Sequence, residues 1–541
     1  MTINPDALPT TPSGEPPASI GRSGRSVAGE PASAMARRQD EPPASMLTQS
    51  VRVAVAASAV GFFLYCMLKF AITPDVYWLW RGGQYILAEG RLPATDIFSW
   101  TFADQPVLLY QWLFMVGIAA VEAVAGLRGA FVLFVMLGIS VYLLAPLFGA
   151  VPRKVSAFFV IAACALGLAT ITINLALRPM IMTSAFLLAQ YVIVQRSRGG
   201  QIGRLPALVL SAVVYALWAN FHNGIVLGYL SLFLFALGDF AERRGWYRFE
   251  AADPDIEGRP LPIASYIFLL TVALAASLAN PYGVLIYAHL ASFTSQGYFA
   301  GVIEELRSPN FQMVQFQWFL VFVAGLFVAM TRITRLMSAA DLLHLVVFTV
   351  LTLAVARFVV WAVLLYVLVM PRVLHHATAL GAGQKAFSNL QRGSAQTRRV
   401  VGIALAGMFL PFTLWVFIQW PATDNHCVDF AGALASYQKI QQPTDRLFNS
   451  PGIGSCAMAL SPYPRVFIDT RFDVYGEQFT GDAVRTLRLR PSWRELLNRW
   501  RIDTIVVESS WALAQGLALD PQAKIIFDDG KAVVARWSPQ G

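Results

Sequence analysis

Between positions 51 and 420 the chain repeats, about a dozen times, an apolar run of roughly 17 to 25 residues, the length that crosses a hydrocarbon core about 30 Å thick. Inside a bilayer no water is present to satisfy backbone N–H and C=O groups, so runs of this kind fold as helices. The rest of the composition agrees. Of 541 residues, 56% are hydrophobic and 13% charged, against about 25% charged in an ordinary soluble protein. The expected fold is mainly α: a polytopic transmembrane bundle of about 11 to 13 helices, with a small α/β domain at the C-terminal end.

The windows fall near 51–72, 107–126, 129–149, 155–174, 180–195, 205–219, 223–240, 263–279, 314–331, 338–356, 358–374 and 400–420. Residues 1–45, rich in Pro, Ser, Ala and Gly without apolar periodicity, read as a disordered tail. The first window is too long for a signal-peptide core and lacks a cleavage pattern, so it is expected to remain as an anchor. Basic residues cluster in alternate connections: Arg37, Arg38 and Arg52; Arg196, Arg198 and Arg204; Arg243, Arg244 and Arg248; Arg332 and Arg335; Lys385, Arg392, Arg398 and Arg399. Placing these in the cytoplasm puts 73–106, 220–223, 280–313 and everything after 420 outside. Twelve crossings would return the C-terminus to the cytoplasm, so one window between 107 and 195 must be re-entrant, half-length or wrongly split. The net charge of +9 is spread over these connections, not gathered on one face, which argues against nucleic acid.

After Pro421 (421–541) strand-like runs at 446–449, 465–469, 503–508, 524–528 and 531–537 alternate with helical ones, including 492–499, as in an α/β domain. Cys66 and Cys164 lie in apolar windows and read as small buried hydrophobes. Cys427 and Cys456 could pair if the domain faces an oxidising compartment.

Segment 73–106 is too polar to span and too aromatic for a solvated loop; Trp78, Trp80, Phe98 and Trp100 suit a segment lying at headgroup level. Asp75 stands at the exit of the first window. There a carboxylate can act as general base toward an acceptor hydroxyl, hold a divalent metal, or simply cap the helix that follows. Other polar groups end apolar windows on the same side: Arg178, Asn220, His222, Asn280, Glu304, Glu305 and Arg357. Ionisable groups at membrane depth face a cavity or a partner. Arg178 and Arg357 can bind a lipid-linked phosphate or can snorkel to the interface. Taken alone, His222 reads as a hydrogen-bonded structural histidine. Asp469, Arg471 and Asp473, just past a strand end, fit either a site or a salt-bridged turn.

Asp75, Trp78, Gly82, Gly90, Pro93, Asp96, Ser99-Trp100-Thr101, Gln111-Trp112-Leu113, Arg178-Pro179, the stretch 218–224, Asn280-Pro281-Tyr282-Gly283, 304–309, Arg357 and 467–476 together resemble the GT-C superfamily of membrane glycosyltransferases, in particular its bacterial polyprenyl-phosphate-sugar branch. The resemblance implies an inverting transferase of the cell envelope, multi-pass in the inner (plasma) membrane, that moves a sugar from a polyprenyl phosphate to a glycan, lipid or protein acceptor. It also implies Asp75 as the catalytic base, with Asp96, Arg178, Asn220, His222, Glu304 and Arg357 as substrate-binding candidates. No adjacent acidic pair flanks Asp75, so a divalent metal is not implied with certainty. Two other classes fit the composition: a transporter or flippase of lipid-linked or anionic substrates, and a non-catalytic polysaccharide-assembly protein.

Overall fold

The computed structural model describes residues 73–171, 177–248, 254–295, 301, 303–333, 337–379, 426–460 and 462–538. The expected N-terminal tail and the windows at 51–72 and 400–420 lie outside the described residues.

Helix α1 (Asp75–Glu89) and the first half of α2 (Trp112–Ile139) form a hairpin. Gly82 and Gly83 make it possible, because a Cβ at either would sit about 2.0 Å from atoms of Met115. At Gly126 (φ 68°, ψ 175°) α2 breaks, a left-handed φ that favours glycine. The rings of Phe114 and Phe134 lie 6.2 Å apart, whereas a straight helix would separate positions twenty residues apart by about 30 Å. The chain therefore folds back at Gly126. The window at 107–126 thus holds a short helix laid against α1, and the helical run beyond the glycine continues to Ala150; the number of crossings also involves the windows at 51–72 and 400–420, outside the described residues.

The helices that follow are α3 (Ala157–Ile171), α4 (Met180–Arg198), α5 (Arg204–Phe221), α6 (Val226–Arg243), α7 (Ile263–Ser277), α9 (Val314–Ile333), α10 (Ala339–Ala354) and α11 (Val359–Ala379); α8 (Leu285–Ser295) lies in the connection after α7. Among the described residues four helical segments are long and apolar enough to cross a membrane (Trp112–Ala150, Arg204–Phe221, Asn223–Arg243, Ala356–Ala377), and α3, α7, α10 and Val314–Met330 are shorter apolar ones. On α5 the exposed side chains form a stripe of Leu205, Val209, Val213 and Leu217. Spaced four apart, they share one helix face, and an apolar stripe facing outward belongs against lipid. By contrast, α11 buries every face from Val359 to Val369, as the central helix of a bundle must.

The two ends of the bundle differ. At one end Asn220 donates to the carbonyls of Ala216 and Ala279 and accepts from the Trp112 indole. At the other, Arg198 pairs with Asp239 at 3.2 Å, and Arg372 pairs with Glu257 at 2.5 Å and Asp341 at 3.0 Å, all buried. Of the basic residues expected in that connection, Arg196 and Arg204 are exposed, whereas Arg198 is an internal ion-pair partner and not a solvated orientation signal.

The C-terminal domain is a four-stranded sheet in the order β1-β2-β4-β3: β1 (Leu447–Asn449) runs parallel to β2 (Thr504–Glu508), with β4 (Ala532–Trp537) and β3 (Ala523–Asp528) antiparallel. Helices α12 (Ala431–Ile440), α13 (Pro451–Ala457), α14 (Phe472–Leu487), α15 (Trp493–Arg499) and α16 (Ala512–Leu519) surround it. Four of the five expected strands form. The fifth, 465–469, does not join the sheet: Val466 instead bridges to Ser99 of the 73–106 segment, since its backbone partners lie in that loop. Cys427 and Cys456 form a disulfide, and Cys164 is a buried thiol.

The domain is fastened to segment 73–106 by buried polar bonds. Arg81 donates to the carbonyls of Met458 and Leu460, each at 2.8 Å; Trp100 donates to Leu447 O and Thr101 to Phe467 O. Arg471 spans Asp96 (2.7 Å) and Asp469 (2.6 Å), all three side chains at most 2% exposed. Truncating one partner of such a cluster strands buried charge. Arg471→Ala is therefore expected to cost about 3 to 5 kcal/mol, read as a lower thermal midpoint of the detergent-solubilised protein and faster proteolysis within 426–538. An unchanged midpoint would contradict this account of the docking.

Candidate functional site

Asp75 opens α1 directly after Pro74 without capping the helix by its side chain. Its two oxygens are held from different directions. Oδ1 accepts from the Thr470 hydroxyl of the C-terminal domain, and Oδ2 faces the Arg178 guanidinium at 3.3 Å. Arg178 precedes α4, where Pro179 stands at the start of the helix, so its side chain lies at the end of the bundle, about one quarter exposed. The same guanidinium pairs with Glu305. Glu305 in turn accepts from Arg357 Nε at 3.1 Å and Nη2 at 2.9 Å. Arg357 sits in the short turn Ala356–Phe358 that breaks the α10–α11 connection, and Ala356 N–H donates to Arg307 O, tying this turn to the Glu305 segment. Asp75, Arg178, Glu305 and Arg357 thus form one continuous chain of ion pairs.

Burial favours the neutral Glu305 carboxyl, but the guanidiniums of Arg178 and Arg357 outweigh it and hold the group at about 2. The Nε–H of Arg178 is buried with no hydrogen-bond partner. The two guanidiniums, each partly exposed, present forks that match the oxygens of a carboxylate or phosphate.

Around this chain stand further groups, His222 and Asp473 among those the sequence singles out, Tyr110 and His289 among those it does not. Burial and then Asp473 push the Tyr110 phenol well above its usual range, against a downward pull from Arg357. The Tyr110 ring lies 5.4 Å from that of His289, whose Nε2 lies 3.2 Å from Asp473. A small cavity is lined by Tyr110, His222, Asn223 and Tyr287 among others. The Nδ1 of His222 accepts from Gly224 N–H at 3.1 Å and lies 2.7 Å from the Thr183 hydroxyl, which leaves Nε2 as the protonated nitrogen. Burial, with Arg357 nearby, depresses the imidazolium to about 3, so the ring is neutral at physiological pH.

The expected residues therefore separate into two groups. Asp75, Arg178 and Arg357 meet, and His222 lines the adjoining cavity. Asn220 spends its side chain on three structural bonds. Asp96 accepts from the Ser99 N–H (2.9 Å) and hydroxyl (2.6 Å) as well as from Arg471; against its burial, Arg471 holds its carboxyl below the usual range. Its role is to shape the loop and dock the domain. Glu304 is exposed, and the carboxylate brought to the arginines is that of its neighbour Glu305. Glu305 stands with Glu304 among the polar groups that end apolar windows, and the sequence does not tell which of the two meets the arginines; Thr470, a threonine between charged residues, carries no sequence signal of its own. Among the described residues no group of three or more His, Cys, Asp or Glu side chains could hold a metal ion. The carboxylates of the site face guanidiniums, so they do not fit a metal here and no step is routed through one.

No protein-family model matches this sequence, and no curated protein matches it at a significant level. Solved structures do. ArnT from Cupriavidus metallidurans bound to undecaprenyl phosphate is 15% identical with a TM-score of 0.53, over 91% of this chain and 100% of that one. The archaeal oligosaccharyltransferase AglB from Archaeoglobus fulgidus, in complex with an inhibitory peptide and a dolichol-phosphate, is 11% identical with a TM-score of 0.55, over 90% of this chain and 74% of that one. At these identities what is shared is the architecture: a multi-pass membrane protein whose fold is that of the GT-C membrane glycosyltransferases.

Proposed function

We propose that the protein transfers a sugar from a polyprenyl phosphate to a hydroxyl or amine of an envelope glycan, lipid or protein, at the membrane face that carries the C-terminal domain. One observation carries this reading: Asp75 and two arginines share one ion-pair chain at the end of an apolar bundle, with a buried Arg178 donor left open. The similarity to ArnT bound to undecaprenyl phosphate and to AglB with a dolichol-phosphate supports the lipid-phosphate donor.

The chemistry follows from the placement. Asp75 takes the proton of the acceptor nucleophile. That atom attacks the anomeric carbon opposite the phosphate, so the configuration inverts, and the carbon–oxygen bond to phosphate breaks with its electron pair going to the departing oxygen. Arg178 and Arg357 offset the negative charge that develops there. Thr470, holding Oδ1 of Asp75, keeps the base aimed.

The Cys427–Cys456 disulfide supports placing the C-terminal domain outside the cytoplasm and the N-terminus inside, since structural disulfides persist in oxidising compartments. Alkylation of the denatured, unreduced protein from isolated membranes should block only the two remaining cysteines of the four. Four free thiols would contradict that orientation.

Asp75→Asn keeps the shape of the side chain and removes its basicity. Turnover with a polyprenyl-phosphate sugar, followed as release of the lipid phosphate, should fall about 10²- to 10⁴-fold while donor binding persists. Retained turnover would exclude Asp75 as the base.

A further inference from the structure

We infer that Glu305 is a resident counter-anion that the phosphate of the lipid-linked sugar displaces from Arg178 and Arg357, and that returns to those arginines when the spent carrier leaves. The inference rests on the donor reading above and adds what that reading leaves open, namely how an anion binds a cluster already neutral. Two guanidiniums face two carboxylates, Asp75 and Glu305. A phosphate added to that set would bring one or two uncompensated negative charges to a half-buried place, which is costly. Carboxylate and phosphate oxygens compete for the same guanidinium forks, so one carboxylate has to give way.

Asp75 cannot be the one to go. It is needed for proton transfer, and it is fixed by the first turn of α1 and by Thr470. Glu305 can move: it lies on the three-residue turn Glu304–Leu306 in a connection, its side chain is 35% exposed, and no helix need unfold for it to swing out. The turn is coupled to Arg357 through the Arg307 carbonyl and Ala356 N–H, so displacement would be felt at the arginine itself.

The experiment is titration of undecaprenyl phosphate into the purified full-length protein, wild type against E305Q, with E304Q as control. Removing the competing charge should tighten binding about tenfold, the size of one charge-assisted contact; E304Q should bind as wild type does. With a sugar-loaded donor, E305Q should lower KM and also lower kcat, because release of the carrier slows. Hydrogen exchange of the wild type at 303–307 should rise when the lipid is added, a readout that does not depend on the variant folding. Equal or weaker binding by E305Q, or exchange at 303–307 that stays constant or falls, overturns the inference. Absence of binding by both proteins would instead overturn the donor reading.

Discussion

Two guanidiniums at the end of an apolar bundle are stable only if anions meet them, and Asp75 and Glu305 are the anions that do. That requirement organises the surrounding structure. Arg178 is held by the turn into α4 and Arg357 by a break between two apolar helices, so each arginine enters from a different part of the bundle. Their common partner comes from a connection distant in sequence. Such a cluster is neutral as a whole and stays partly open to solvent, its side chains 26% to 35% exposed, so an anion can reach it. The network at the other end, built on Arg198 and Arg372, places its ion pairs almost wholly out of contact with solvent, as a structural clamp would.

The C-terminal domain is part of the site. Its segment at 466–471 runs beside the 73–106 loop: Val466 pairs with Ser99, Arg471 with Asp96, and Thr470 reaches Asp75. Asp96 and Asp75 therefore divide the work of one loop, the first holding it to the domain and the second presenting a carboxylate to the arginines. Asp473, one helical turn from the docking cluster, reaches His289 on the membrane side. The membrane bundle and the soluble domain thus both supply side chains to the groups around Asp75.

Much of this is legible in the sequence because bilayer physics is local. Apolar length marks the crossings, and the strand signals at 503–508, 524–528 and 531–537 mark β2, β3 and β4. Hydropathy does not show that the chain folds back at Gly126; the positive φ of that glycine carries the information, and only the backbone reveals it. Segment 465–469 has strand character but finds its partner in a loop some 370 residues earlier. The choice between Glu304 and Glu305 depends on which way a three-residue turn faces, and Thr470 acquires its role through tertiary contact. None of these has a periodic signature.

The central claim is that the arginines beside Asp75 receive the phosphate of a lipid carrier. A structure of the full-length protein with undecaprenyl phosphate, determined in a lipid nanodisc, tests it most directly. The account predicts phosphate oxygens within hydrogen-bonding distance of Arg178 and Arg357, on the side of Asp75. Phosphate density at the opposite end of the bundle, near Arg198 and Arg372, or away from both sets of arginines, would contradict it.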